Sequence, residues 1–336
     1  MTSCKLAFVG EAWGEAEERA RMPFVGPSGY LFNQLLSEAG IDRNECLVTN
    51  VFNLRPKPTN DVTNLCGPKS EGIPGRGVLT KGKYVRAEYG PELLRLETEL
   101  RDARPNLVVA LGGTACWALL GSGAITKVRG TVASGFAGLK VLPTFHPAAI
   151  LREYTYRHVT LLDLIKAKRE AEFPEVRRPH RLVTVEPSIG DIVAFWKEHL
   201  SGAREISVDI ETKGDQITCI GFAPTPDRAI VIPFWDNRRP GGNYWATLND
   251  ELAAWYWVQH ICECPIPKLG QNGLYDLHFL YRQYGIRVNN YRDDTMLMHH
   301  AMYIESQKGL GFLGSCYTNE ASWKFMRTGT AKREDA

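Results

Sequence analysis

From Lys5 to Pro147, short apolar runs alternate with stretches of helical spacing, and that alternation leaves few folds open. "KLAFVG" reads as a buried strand ending in glycine, and "YLFNQLLSEAG" as a helix stopped by Gly40. "CLVTNVF", "NLVVALGG" and "LKVLPTFHP" repeat the strand pattern, with helices expected at "PELLRLETELRDARP" and "TACWALLG". Strands separated by helices pair in parallel and carry helices on both faces of the sheet. Ligands in such sheets bind beyond the carboxyl ends of the strands. The functional segments are therefore expected at Gly10 to Glu18, Thr49 to Arg55, Gly112 to Ala115 and Thr144 to Pro147.

The pattern changes after "TLLDLIKAKREAE". "FPEVRRPHR" has no period and two prolines, so residues 173–180 read as a linker between a domain at 1–172 and another at 181–336. In the second half a strand "RLVTV" and a helix "DIVAFWKEHL" precede three closely spaced strands, "EISVDIET", "QITCIGFAP" and "RAIVIPFW". Helices follow at "LYDLHFLYRQYG" and "DDTMLMHHAMY". The fold class is α/β throughout. A length of 336 residues suits two cores, since single cores stop growing near ~250 residues. The eight cysteines are scattered, several within apolar runs, which implies a reducing compartment. No run of ~18 apolar residues and no basic-then-apolar opening occurs, so a soluble cytoplasmic protein without a membrane partner is expected.

A net charge of +2 says little about nucleic acid, but the charge is unevenly placed. Between Arg55 and Arg86 there are seven basic residues and two acidic ones. The four strand-end segments carry Glu11, Phe24, Asn50 and His146. A flat heterocycle needs an aromatic face, an amide to read its edge, and a donor for charge developing on its carbonyl oxygen. Phe24, Asn50 and His146 suit those tasks, although a core Phe, a turn Asn and a His satisfied within its turn fit the same pattern.

"GEAWGEAEERARMPFVGPSG", "LVTNVFNLRP", "ITKVRG" and "LPTFHPAAILR" resemble, in order and spacing, four signature blocks of the family 4 uracil-DNA glycosylases. The resemblance covers about residues 5 to 172. It implies a three-layer α/β/α sandwich that removes uracil from DNA. By it, Phe24 stacks on an extruded uracil, Asn50 bonds its edge, Glu11 is the acid of the first block, and His146 stabilises the departing uracil anion. Glu17 fills the space that thymine's methyl group needs, and Ile150 or Leu151 is the apolar wedge left in the duplex.

The departures from the family are also informative. Family 4 members carry an iron–sulfur cluster on four cysteines. Here the first pair would fall before the chain begins, the third position is Leu54, and the fourth lies near Pro91, so no iron–sulfur cluster is expected. Trp13 stands where the family has Pro, and Arg21 where it has Gly. An insertion from about Pro58 to Tyr84 replaces a short loop, at a place where related uracil-binding proteins carry a basic insertion with a covalently reactive His. It contains no His. It reads as a DNA-backbone arm, with Arg55, Lys57, Arg76, Lys81 and Lys83 as candidate phosphate contacts, or as a solvated loop.

In "EISVDIET", Asp209 and Glu211 point to one face of a strand, and "GQNGLYDLHFL" adds Asn272 and Asp276. Paired carboxylates of this kind bind divalent cations for phosphodiester hydrolysis. From about Arg181 onward the sequence resembles the proofreading 3′–5′ exonuclease domain of family A DNA polymerases, which has a DnaQ-like, RNase H-like fold. That resemblance implies Mg2+ or Mn2+ at Asp209, Glu211 and Asp276, with Asp294 structural. The family's third motif, Tyr followed four residues later by Asp, is absent: Tyr303 leads to Gln307 and Tyr317 to Ala321. A truncated exonuclease domain is therefore expected, with its nuclease activity left open.

"HICEC" lacks the spacing of a zinc site, "LGGT" suits the first fold without further meaning, and His299 and His300 read as core or helix-end residues. The expected function is DNA processing: recognition or removal of uracil in single-stranded or uracil-containing DNA, joined to part of an exonuclease, as in large bacteriophage polymerases. The alternative is a non-catalytic uracil or DNA reader that docks to a polymerase chain supplying the missing motif.

Overall fold

The computed structural model describes residues 4–320. The chain divides into two compact units, one running to Arg178 and resuming at Gly311, the other spanning Pro179–Leu310.

In the first unit, β1 (Leu6–Ala12), β2 (Leu47–Phe52), β5 (Leu107–Leu111) and β7 (Lys140–Thr144) form a parallel sheet. Two short strands, β3 (Cys66–Gly67) and β4 (Tyr84–Val85), pair apart from it in the insertion. The edge strand β6 (Ala133–Ser134) runs antiparallel to β7, giving the order β2-β1-β5-β7-β6. Helices α1 (Glu15–Ala20), α2 (Pro27–Glu38), α3 (Gly90–Ala103), α4 (Gly113–Leu120), α5 (Ile125–Val128), α6 (Pro147–Arg152) and α7 (Tyr156–Glu170) complete the unit. One apolar core holds Val9, Val51, Leu100 and Trp117 on one face of the sheet; another holds Phe8, Phe32, Leu35 and Leu164 on the other. The result is a three-layer α/β/α sandwich. The chain order brings the carboxyl ends of β1, β2, β5 and β7 to one rim, and the order reverses direction between β1 and β5, where such sheets open a crevice.

The second unit has a six-stranded sheet in the order β13-β12-β9-β10-β11-β8. Its elements are β8 (Leu182–Val185), α8 (Ile189–Phe195), β9 (Ile206–Lys213), β10 (Gln216–Thr225), β11 (Arg228–Pro233), α9 (Leu248–Glu263), β12 (Lys268–Gly270), α10 (Leu274–Tyr284), β13 (Tyr291–Asp294) and α11 (Thr295–Met302). The three consecutive strands β9, β10 and β11 form an antiparallel meander, while β12 joins β9 in parallel. Asp293 and Asp294, expected to begin a helix, instead end the edge strand β13; Asp294 then caps α11. Among the described residues no helix is long and apolar enough to cross a membrane.

The last described helix, α12 (Leu310–Tyr317), returns to the first unit, whereas the sequence reading grouped residues 311–320 with the second half. Two buried cations account for the return. The Lys166 ammonium donates to the carbonyls of Gly130, Ser315 and Thr318. The Arg129 guanidinium donates to Ser315 Oγ and Cys316 Sγ and lies 4.8 Å over the Phe312 ring. Buried cations keep their charge only when surrounded by acceptors, so the sandwich and the returning segment stabilise each other. Lys166→Met leaves those carbonyls without a buried donor, at ~1–3 kcal/mol for each unsatisfied group. The melting temperature of the full chain in calorimetry is expected to fall by about 5 °C or more. An unchanged melting temperature would show that the returning segment contributes nothing to the first unit.

Candidate active site

Three candidate side chains stand at the strand rim. Glu11 lies near the end of β1, and its Oε2 accepts a hydrogen bond from Thr114 Oγ1 at 2.5 Å, in the first turn of α4. Burial raises the Glu11 pKa above 4.5, and the Thr114 hydroxyl opposes that shift only in part. Asn50 pairs with Gly10 across β2 and β1 and is buried. Because β2 is an edge strand, its outer carbonyls need partners from elsewhere. Arg95 supplies them, donating to Asn50 O at 2.8 Å and Val51 O at 3.1 Å. Glu92 bonds both Arg95 and the Asn53 amide, so the end of β2 is held from α3.

His146 follows β7 and caps α6, its Nδ1 accepting from the Ala148 amide at 3.1 Å. That bond leaves the ring hydrogen on Nε2. Burial, and then the nearby positive charge of Arg152, pushes the imidazole pKa down to about 4, so it is neutral at physiological pH. Gly112, in a left-handed conformation, makes room: a Cβ there would lie 3.0 Å from His146 Cβ.

Phe24 reaches the same place from a loop rather than a strand. The structure leaves the residue 4% accessible. Its ring lies 4.8 Å from Phe32 and forms a loose stack with His146, centroids 5.6 Å apart at 28°. Gly10 sits between the Phe24 ring edge and the Asn50 amide: a Cβ on Gly10 would come within 2.6 Å of Phe24 Cζ and 2.2 Å of Asn50 Oδ1. This close approach explains the glycine at the end of "AFVG".

Glu17 is buried and anchored to the backbone. Its carboxylate accepts from the amides of Gly14, Val25 and Gly26 at 2.9–3.1 Å, which ties the start of α1 to the Phe24 loop. Arg21 ends α1 with φ +52°, which explains why glycine suits that position. Trp13 donates its amide to Leu54 O, and its indole N–H is buried without a partner among the described residues.

The expected wedge pair separates. Ile150 is 1% exposed and belongs to the core, which removes it as a wedge, whereas Leu151 is 57% exposed. Arg152 beside it, not singled out from the sequence, is close enough to bias both Glu11 and His146. The candidate phosphate contacts divide similarly. Arg55 is committed to Asn60, with Glu15 and Glu18 near; Lys57 pairs with Glu18; Arg76 donates to Ala118 O and lies over Trp117. Lys81 and Lys83 remain exposed around a tight turn in which Lys81 and Gly82 both have positive φ.

In the second unit, Asp276 Oδ1 accepts from Ile210 N, which brings α10 against β9. Burial, followed by the charges of Asp276 and Glu211, raises the Asp209 pKa to about 6, so these carboxylates share one neighbourhood. Among the described residues, no three His, Cys, Asp or Glu side chains gather into a metal shell. Asp294 accepts from the amides of Asn272, Gly273 and Met296 and from Tyr291 Oη, a structural set of bonds.

Residues 2–171 match the family model described as "Uracil DNA glycosylase superfamily". The chain belongs to that superfamily. The type-4 uracil-DNA glycosylase of Thermotoga maritima is 34% identical over 168 residues, covering 49% of this chain and 76% of that one. That of Pyrobaculum aerophilum is 32% identical over 160 residues, covering 45% and 70%. Among solved structures, Trypanosoma brucei RNase D in complex with RNA U12 is 15% identical with a TM-score of 0.34. It aligns over 44% of this chain, which spans half of that one. Brucella melitensis NrnC with bound Mg2+ is 14% identical with a TM-score of 0.27, covering 41% and 61%. The architecture is a uracil-DNA glycosylase superfamily sandwich followed by a second α/β unit.

The iron–sulfur cluster of family 4 does not fit this chain. Of the positions at which the resemblance would put its ligands, the third is Leu54, which packs on an apolar core, and the fourth falls near Pro91, at the start of α3. Neither can ligate iron. Gly10→Ala is expected to push Phe24 and Asn50 apart and lower uracil excision about 100-fold, the scale of a ~1 Å misplacement. Excision kinetics of the full chain test this, and wild-type rates in Gly10→Ala would contradict the packing described.

Proposed function

We propose that the first unit hydrolyses the N-glycosidic bond of deoxyuridine in DNA. The observation that carries this reading is the bond from Ala148 to His146, which leaves a neutral imidazole with an Nε2–H donor beside Phe24. The uridine leaves the base stack, and its base enters beside Phe24, loosening the ring contact with His146. Asn50 bonds the base edge. As the bond to C1′ breaks, its electron pair passes to uracil N1 and spreads to the carbonyl oxygens. The Nε2–H donates to that developing anion without giving up its proton. The Glu11 carboxylate orients and deprotonates the water that attacks C1′. Leu151 fills the vacated stack, Arg152 and the Lys81–Lys83 turn meet phosphates, and Glu17 shapes the pocket through the loop it ties.

His146→Ala is expected to lower the single-turnover excision rate about 100- to 1,000-fold, the scale for removing one such donor. DNA affinity should change little; equal loss of both would contradict the role. The rate should rise with pH as Glu11 ionises, in a range that burial raises above that of an ordinary carboxylate, with no separate step from His146, which is already neutral above about pH 4. An ionisation near 6.5 that persists in Glu11→Gln would mean that the imidazole carries charge. The sign for stability follows from the same shift. The folded state binds fewer protons than the unfolded between about pH 4 and 6.5, so His146 contributes stability that is lost as pH falls through that window.

For the second unit we propose an exonuclease-like domain in which Asp209, Glu211 and Asp276 bind Mg2+ or Mn2+. A polymerase chain in a bacteriophage replication setting is its proposed partner. Among the described residues the three carboxylates do not by themselves close around a cation. Millimolar Mg2+ should raise the melting temperature of the full chain slightly, and Asp209→Asn should remove that response. An equal response in both proteins would place the cation elsewhere.

A further inference from the structure

Phe24 has a backbone conformation that bulky residues avoid, φ +54°. Such conformations cost about 1–3 kcal/mol and persist only where their surroundings over-determine them. Three contacts do so here. Gly29, in α2, lets the helix pass against the Phe24 carbonyl, since a Cβ there would lie 2.1 Å from that oxygen. Glu17 takes the amides that follow, of Val25 and Gly26. The carbonyls are taken from the other side by Arg43, in the short turn after Gly40, which no sequence motif marks.

One arm of the Arg43 guanidinium, Nη1, donates to Phe24 O at 3.1 Å and to Asn33 Oδ1 at 2.6 Å; the other, Nη2, donates to Pro23 O at 2.8 Å. Its carbon lies 5.9 Å over the Phe32 ring, the ring that backs Phe24. The planar fork thus reaches two successive carbonyls and one side-chain amide, a geometry that the single ammonium of lysine cannot reproduce. Burial pulls the Arg43 pKa below its usual value, so the group is held at an energetic disadvantage where two carbonyls and an amide oxygen partly repay it.

We propose that Arg43 is a positioning residue for base capture: it holds the Pro23–Phe24 backbone opposite Glu17, so that the Phe24 ring stands over Gly10 beside Asn50 and His146 before any base arrives. This rests on the uracil-excision reading for its functional consequence, but not for the clamp itself. With the clamp gone, the loop relaxes toward ordinary backbone angles and the ring leaves its place, so the stacking of the incoming base is lost.

The test uses the full chain as wild type, Arg43→Met, Arg43→Lys, Phe24→Ala and the Arg43→Met/Phe24→Ala pair. Amide hydrogen exchange reads the clamp directly. In Arg43→Met, exchange at Val25 and Gly26 should quicken about tenfold or more while β1 and β5 keep wild-type protection. Unchanged exchange at those two amides overturns the clamp. Single-turnover excision of uracil from a single-stranded oligonucleotide reads the consequence. Arg43→Met should lose about 10- to 100-fold, the scale of one stacking contact, and Arg43→Lys should recover part of it. In the Phe24→Ala background the Arg43→Met change should have almost no further effect, because Arg43 acts through Phe24. Additive losses in the pair would overturn positioning in favour of general structural support. A wild-type chain that neither excises nor prefers uracil overturns the excision reading and the base-capture role with it, while exchange at Val25 and Gly26 still decides whether the clamp exists.

Discussion

The hydrogen bond from the Ala148 amide to His146 Nδ1 determines what the rim of the sheet can do. An imidazole has one nitrogen to give and one to receive with. Occupying Nδ1 as an acceptor turns Nε2 into a donor and makes protonation of the ring unfavourable. A charged imidazole would bind an anion more strongly in water, but in a buried site it must also be kept charged at a desolvation cost. A neutral donor fixed by backbone avoids that cost and needs no reorientation as charge appears on a leaving base. The bond exists because Pro147 begins a helix immediately after β7, which points the Ala148 amide back at the ring.

The other site residues inherit their positions from similar constraints. Asn50 is on an edge strand whose free carbonyls are capped by Arg95. Glu11 is steadied by a hydroxyl from α4. Phe24 alone comes from a loop, and that loop is bonded on its amide side by Glu17 and on its carbonyl side by Arg43. Behind the rim, Thr144 at the end of β7 donates to the fully buried Asp163 at 2.6 Å. Asp163 faces Arg129 at 3.6 Å, and Arg129 bonds Ser315 in the returning helix. The strand that delivers His146 is thereby linked through buried polar groups to a segment that follows the second unit.

Much of this was legible in the sequence, for definite reasons. The parallel sheet follows from the alternation of apolar runs with helical periods, and the rim positions of Glu11, Asn50 and His146 follow from where those runs end. Asp294 was recognisable as structural, and its bonds to backbone amides agree. Other features were hidden. Nothing in "IDRNE" marks Arg43, because its partners are carbonyls nineteen and twenty residues earlier. Ile150 and Leu151 are equally apolar, and only helix phase decides which one faces the core. The basic count between Arg55 and Arg86 overstated the free charge, since Arg55, Lys57 and Arg76 are engaged by neighbours that sequence separation conceals. The return of residues 311–320 to the first unit depends on buried Arg129 and Lys166, whose partners in that segment lie about 150 to 190 residues later in the chain.

The central claim is that this rim breaks the glycosidic bond of deoxyuridine in DNA. It is tested most directly by incubating the full chain, in excess EDTA, with a single-stranded oligonucleotide containing one uracil, and revealing abasic sites with hot alkali. The account predicts strand cleavage at the uracil alone, absent with a thymine oligonucleotide and lost in a Glu11→Gln/His146→Ala protein. Intact oligonucleotide after prolonged incubation with a chain that binds it in preference to the thymine control would contradict catalysis and make the rim a reader of uracil.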